Sequence, residues 1–424
     1  MRAFRFICFF FKGLERNFKI IRYGDVPEIY KTQSYMERYA FAGPSLRGFV
    51  LSVKELARHL LRPIQKQYSL PDSRIFYCGP TKNNEREFEF LSKLLNEGVG
   101  TPLYDRVDNL SFVSSRETKK SGFEYCLSFA VFLFCVLYLF RIKLGPISLK
   151  YLVVYGKVFL QLFSTIRRMD ADVDLVIVAN DHTDFPVVTN MVMKCLRVPV
   201  IYVQHAEISS SFPRLDFDIS VLRNKKSLTR YQDVGKVSGD VYIIPRKERS
   251  EHFNRLFEKR VGKINVIIYL SSIFNFETVK SCVAALNSNP SVSNIGIKLH
   301  PRGDKEVLRS IEGVVIYDDF PPLGHVAVVP NSSVVIELLE LGVPVYQFFD
   351  LDNIGRDYYG FVKACVVPEI IFSELSSPFW VRNYFDDAWL ARFAEFSPAT
   401  DDLWREQVPA LTRRVQSFLN KEFD

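Results

Sequence analysis

The 424-residue chain lacks the local signatures that commonly announce a chemistry. No G-x-G-x-x-G follows a strand and no Walker-type loop occurs, so dinucleotide and ATP readings lose support. The seven cysteines (8, 78, 126, 135, 195, 282, 365) include no C-x-x-C pair, and most lie in apolar runs. Reduced, buried thiols in a cytosolic protein are expected. The six histidines are scattered without H-E-x-x-H spacing, and no structural metal is predicted. No RNA- or DNA-binding motif occurs, and Lys and Arg are spread along the chain, so no nucleic-acid partner is expected.

What is present is aromatic and mildly basic. Phe occurs 37 times and the net charge is +7, which suits an anionic substrate or an anionic membrane surface. Residues 1–22 interleave aromatics with basic residues around a short apolar part, too short to span a bilayer. No small-residue cleavage site follows, so a first element of the N-terminal domain, or an interfacial anchor, is expected there. Residues 123–140 are the most apolar stretch, with Lys119 and Lys120 before it and Arg141 and Lys143 after it. Basic residues at both ends leave the orientation signal undecided. The segment 123–163 is therefore predicted to associate with a membrane by dipping into it or lying on it, with burial inside the fold and a true span by 123–140 as the alternatives.

The length allows two domains of about 150–200 residues each. Residues 84–97 have the spacing of an amphipathic helix. From Asp174 onward, strand and helix patterns alternate. Strands are predicted at 175–179, 199–203, 219–222 and 241–244, with a helix over 185–196. After the charged run 246–262, a second set begins with strands at 264–270, 295–299, 314–317, 325–329 and 343–348. This pitch predicts an α/β chain of two parallel, doubly wound sheets. The predicted division is an N-terminal domain over 1–245, a charged linker over 246–262, a C-terminal domain over 263–379 and helices over 380–424. By analogy with two-domain enzymes of this shape, the tail crosses back to the first domain.

Several strand ends carry polar residues. Lys298-Leu299-His300-Pro301 ends one strand, and Asn331-Ser332-Ser333 joins another to a helix over 334–341. Glu337 and Glu340 are expected to face outward, with Gly342 and Pro344 ending that helix. N–H groups and hydroxyls at such a terminus suit a phosphate. Ser271 and Ser272, ending the first strand of the second set, are placed to help. In an open parallel sheet these ends converge on one crevice.

The two motifs resemble the His-Pro and Ser-Ser motifs of bacterial sialyltransferases and polysialyltransferases. Related pairs occur in capsule Kdo transferases and CDP-glycerol glycerophosphotransferases. The resemblance covers roughly residues 174–350. It implies a GT-B fold, with two Rossmann-like domains facing a cleft and a hydrophobic helical insertion in the first. It also implies a CMP-activated sugar held by the second domain, with neither a metal nor a further cofactor. Lys298, His300, Pro301, Asn331, Ser332 and Ser333 would then be donor-binding. His300 would stabilise the leaving phosphate or act as general acid. The acidic Asp/Glu-Asp/Glu-Gly motif of the sialyltransferases is absent. Gln204-His205-Ala206-Glu207 is similar to the His-Gly of the glycerophosphotransferases, with Ala206 replacing the Gly. His205 is the first choice for the base, with Glu207 as its orienting carboxylate or substitute. Asp181 and His182 come second. Asp318 and Asp319 would contact ribose or cytosine, or belong to a solvated loop.

The implied activity is transfer of an acidic sugar of the sialic acid or Kdo type to a bacterial capsule or lipopolysaccharide glycan. Implied partners are the nucleotide sugar, a free or lipid-linked glycan acceptor and the inner membrane surface, with a cytoplasmic, peripheral location. The alternatives are a CDP-glycerol-type polyol phosphotransferase and a non-catalytic capsule assembly or export subunit.

Overall fold

A computed structural model describes residues 39–420, apart from 69–74, 100–106, 110–114, 161–172 and stretches of one to three residues such as 79–81 and 301–302. The readings of residues 1–22 and of Pro301 fall outside the described residues. The first domain opens with helix α1 (Leu46–Leu60), capped by the Ser45 hydroxyl on the Gly48 N–H. Strand β1 (Ile64–Tyr68) pairs antiparallel with β4 (Ser115–Lys119) in a separate two-stranded sheet.

The main sheet of this domain contains β2 (Ile75–Cys78), β3 (Val107–Asn109), β5 (Leu175–Val178), β6 (Val200–Val203), β7 (Asp216–Leu222) and β8 (Ser238–Ile243). Its order is β3-β2-β5-β6-β7-β8, and every neighbouring pair is parallel. Every residue of β2, β5 and β6 is buried. Both faces of these strands are covered, which is why they read as unbroken apolar runs and not as alternations. Helices α1, α3 (Gly122–Leu139) and α4 (Asp184–Leu196) share a core with one face, through Leu56, Leu60, Val131, Cys135 and Val187 against Val176, Val178 and Tyr202. Helix α2 (Lys82–Val99) covers the other face with Leu91, Leu94 and Leu95. The polar helix α5 (Lys225–Val234) lies between β7 and β8 and buries Ser227 and Tyr231.

The second sheet holds β9 (Ile264–Tyr269), β10 (Val292–Lys298), β11 (Val314–Tyr317), β12 (Val326–Val329) and β13 (Val345–Gln347), in the order β11-β10-β9-β12-β13, all parallel. Helix α6 (Phe276–Asn287) and helix α7 (Val334–Glu340) cover it. Two parallel, helix-covered sheets are thus the architecture that the alternation predicts.

The charged run 246–262 packs against the second domain. Phe253–Phe257 form a 3₁₀ turn whose Phe253 and Leu256 join the core of the second domain, and the Arg249 guanidinium lies 4.7 Å over the Phe253 ring. Glu340 does not face outward: it is half-buried in the cavity shared with Arg223 and Arg246 of the other wall, and burial raises its carboxyl. The predicted stop holds: Gly342 has φ +78°, and a Cβ there would lie 2.1 Å from the His252 carbonyl oxygen. Helix α3 commits one face to the core through Leu127, Val131, Cys135 and Tyr138. Among the described residues no helix is long and apolar enough to cross a membrane.

The tail serves both domains. Helix α8 (Asp387–Phe393) stacks Trp389 on Phe393 in the second core. Helix α9 (Asp401–Leu419) places Val408, Leu411 and Val415 in the cluster that holds Ile177, Ile201 and Leu91 of the first domain. Trp404 Nε1 donates to the Pro245 carbonyl at 2.9 Å. Leu411 is fully buried, so Leu411→Ala should cost about 2–5 kcal/mol in urea unfolding. A cost below about 1 kcal/mol would show that α9 is not part of the first domain's core.

Candidate functional site

The two strand orders reverse at one place each. In the first sheet the chain moves one way from β2 to β3 and the other way from β2 to β5, so the switch lies between β2 and β5. In the second sheet the switch lies between β9 and β12. Helices leave opposite faces at a switch, and a crevice opens at the carboxyl ends of the two strands. Asn180, Asp181 and His182 follow β5. Ser271 and Ser272 follow β9, and Asn331, Ser332 and Ser333 follow β12. Polar residues singled out in both halves of the sequence therefore sit at the two switch points.

At the first switch the Asn180 side chain accepts from the backbone N–H groups of His182 (3.1 Å) and Thr183 (2.8 Å). This turn starts α4, where Thr183 makes no side-chain cap of its own. Asp181 is buried and holds two partners. Its Oδ1 lies 2.8 Å from His182 Nδ1, and its Oδ2 accepts from the Tyr231 hydroxyl at 2.6 Å. Tyr231 in turn meets the Tyr202 hydroxyl at 3.1 Å. The His182 ring lies 4.5 Å from Phe212 and 5.9 Å from His205, centroid to centroid. A carboxylate on Nδ1 fixes the ring and its tautomer, as in other oriented catalytic imidazoles. The structure thus brings Asp181, His182 and His205 into one cluster. Burial, reinforced by His182, pushes the His205 imidazole down to about 3, so it is neutral at physiological pH. Its Nε2 lies 3.4 Å from the Asn180 amide.

Glu207 belongs to a different wall. One carboxylate oxygen accepts from Asn224 Nδ2 at 3.1 Å. Glu207 lines a cavity of about 300 Å³ between the domains. Arg86, Arg223 and Arg246 of the first domain and Glu337 and Glu340 of α7 share the lining. Two features hold the loop that carries these residues. Gln204 accepts from the Arg223 N–H and donates to Ser227 and to the Ala206 carbonyl. Arg230 donates both to the Ile208 carbonyl and, across the domains, to the Tyr359 carbonyl.

At the second switch Ser271 is buried and its hydroxyl donates to the Ile273 carbonyl. Asn331 is a structural anchor. Its Oδ1 accepts from the Tyr358 N–H at 2.9 Å, and its Nδ2 approaches Asp352 Oδ1 at 3.4 Å. Asp352 also accepts from the Ile354 N–H at 3.0 Å, and burial lifts its carboxyl to about 6. The Ser332 hydroxyl accepts from the Val334 N–H at 3.3 Å, and Ser333 makes no side-chain cap. Both are partly exposed, as is Ser272. Lys298 does not present a free ammonium. It donates to the carbonyls of Leu299 (2.8 Å) and Asp318 (2.9 Å), joining the ends of β10 and β11. His300 is partly exposed, and its carbonyl closes a turn onto the Gly303 N–H at 2.7 Å. Asp318 binds Lys305 at 2.5 Å on the surface.

Asp352, Tyr231, Arg223 and Arg230 were not found by reading the sequence. Asp352 follows no motif, and its closeness to Asn331 comes from the turn after β13. Tyr231 and Arg230 sit within an otherwise polar helix, where nothing local marks an inward face.

Burial pushes the Glu207 carboxyl from its ordinary 4.5 up to about 7, against the pull of Arg223 and Arg230. Between these values the folded chain holds a proton that the unfolded chain has released. The associated stability is present below pH 4.5 and is lost as pH rises through about 7. Glu207→Gln should therefore flatten the decline in urea midpoint between about pH 5 and about pH 8. Equal slopes in the two proteins would show that Glu207 titrates normally.

No family model matches the chain, and no curated protein matches it. Among solved structures it is similar to the calicheamicin glycosyltransferase CalG4, with 10% identity over 83% of this chain and 99% of that one and a TM-score of 0.45. It is also similar to the glycosyltransferase of kitacinnamycin, with 13% identity, 82% and 99% coverage and a TM-score of 0.46. A third is MurG of Acinetobacter baumannii, with 9% identity, 81% and 99% coverage and a TM-score of 0.40. At TM-scores below 0.5, these likenesses carry neither an activity nor a substrate across to this chain.

Proposed function

We propose that the chain is a glycosyltransferase of GT-B type that moves an acidic sugar from a CMP-activated donor to a bacterial surface glycan. The observation that supports this best is the placement of both polar sets at the switch points of two parallel sheets. One set offers hydroxyls suited to a phosphate. The other offers a neutral imidazole beside a carboxylate–histidine pair.

In this reading Ser272, Ser332, Ser333 and His300 receive the CMP phosphate, and Ser271, Asn331 and Asp352 fix the loops around them. Lys298 contributes by joining two strand ends. His205 takes the proton from the acceptor hydroxyl as its oxygen attacks the anomeric carbon. The bond from that carbon to the phosphate oxygen breaks, and its electron pair leaves with CMP. Hydrogen-bond donors at the phosphate stabilise the charge that develops there. Asp181 orients His182, which packs beside His205, and burial keeps His205 unprotonated between turnovers. Glu207 and the arginines of the interdomain cavity bind the acceptor's hydroxyls and anionic groups. The acceptor, free or lipid-linked, is met at the cytoplasmic face of the inner membrane.

Calorimetric titration with CMP, CDP, UDP and GDP should give the tightest binding with the cytidine nucleotides. A preference for UDP or GDP would sink the donor assignment. With a CMP-sugar, His205→Ala should lower transfer by about 10²–10⁴-fold while CMP affinity stays unchanged. Transfer that survives this change would place the base elsewhere, and turnover of CDP-glycerol alone would replace the sugar reading with the phosphotransferase one.

A further inference from the structure

Helix α3 has two apolar faces, and among the described residues one of them packs into the first domain's core. Leu127, Val131, Cys135 and Tyr138 are buried. Tyr125, Phe129, Leu133, Leu137 and Phe140 recur at helical spacing on the other side and are 41–72% exposed. Tyr125 to Phe140 covers about 22 Å along the axis. The Phe49 and Phe140 rings lie 4.8 Å apart, so the start of α1 adjoins the end of α3. Leu46 and Val50 of α1, 80% and 56% exposed, extend the stripe there.

The charges on these helices have one sign at the surface. Arg47, Lys54, Arg58 and Arg141 are exposed. Glu124 is buried, and Glu55 is held by Arg58 at 2.5 Å and His59 at 2.8 Å. Arg47 and Arg141 are next in sequence to Leu46 and Phe140, the two most exposed apolar side chains of this stripe. A protein partner of this chemistry would need a matching apolar groove with an acidic rim. A bilayer containing anionic lipid supplies both at once, with acyl chains for the stripe and phosphates for the arginines.

We propose that this face, formed by the outer side of α3 and the start of α1, docks on an anionic lipid bilayer. The helix lies in the interface without crossing it, because its other face is committed to the first domain's core. This gives the membrane clause of the proposed function a place on the molecule, and it stands without the transfer chemistry.

The test uses the full chain and vesicles of phosphatidylcholine, with and without phosphatidylglycerol. The wild type should float with the mixed vesicles and bind the neutral ones more weakly. The triple variant Phe129→Ser, Leu137→Ser, Phe140→Ser should lose binding by about tenfold or more. Arg47→Gln with Arg141→Gln should lose severalfold on mixed vesicles only. A separate Phe140→Trp variant should gain fluorescence that brominated acyl chains quench. The native Trp380, Trp389 and Trp404 all lie outside this face, so they supply only a constant background. Triple-variant binding equal to wild type, or a Phe140→Trp signal untouched by brominated lipid, would overturn the proposal. So would a wild-type dimer that the triple variant converts to monomer while neither binds vesicles, since a second copy would then cover the stripe. None of these readings needs donor or acceptor, so a failure here leaves the transferase reading in place, and the reverse holds too.

Discussion

The geometry of the first domain's carboxyl edge depends on one buried carboxylate. Glu87 of α2 is 1% exposed and takes Arg223 at 2.8 Å and Arg246 at 3.1 Å. The two arginines follow β7 and β8, so a single acid ties a covering helix to two strand ends. Burying such a cluster is worth little compared with an apolar replacement, but removing one member strands a charge at about 3–5 kcal/mol. The arginines also face Glu337 and Glu340 on α7, and Arg86 reaches Glu337 at 3.7 Å. The order of the first sheet's edge and the contact between domains therefore rest on the same charges.

Much of this architecture is legible in the sequence because parallel strands buried on both faces are unbroken apolar runs. Runs such as Leu175–Val178 and Val326–Val329 leave no other reading once helical spacing separates them. The Gly342 stop is legible for a steric reason, since no other residue fits its φ so close to another backbone. What could not be read is which polar residues point inward. Glu340 occupies a position on α7 that helical spacing assigns to solvent, and the facing domain half-buries it. The charged run 246–262 misleads for a related cause. Its Arg249 and Arg260 lie over Phe393 and Phe385, rings that come from distant parts of the chain.

The candidate site was legible to a similar depth. Strand ends can be located from hydrophobic runs, so Asp181, His205, Ser271 and Asn331 could be placed at sheet edges. Strand order cannot be read that way, and it is the order that selects two of those edges as switch points. Side-chain engagement is further out of reach. Lys298 looks like a phosphate ligand by type, yet two carbonyls already occupy its ammonium. Asn331 looks like a cap but spends its amide on the turn after β13. In both cases a partner, Asp318 or Tyr358, comes from a later element of the chain.

The Arg230 guanidinium has a consequence for how the two halves of the cleft respond to ligands. It holds the Ile208 carbonyl, just past His205 and Glu207, and the Tyr359 carbonyl, beyond the turn anchored by Asn331 and Asp352. Gly360 permits the approach: it has φ +67°, and a Cβ there would sit 3.1 Å from Arg230 Nη2. A guanidinium remains charged across the physiological range, so the link does not switch with pH. Were a ligand to settle one of these loops, the shared cation would carry part of that ordering to the other, and linkage would make the effect equal in both directions.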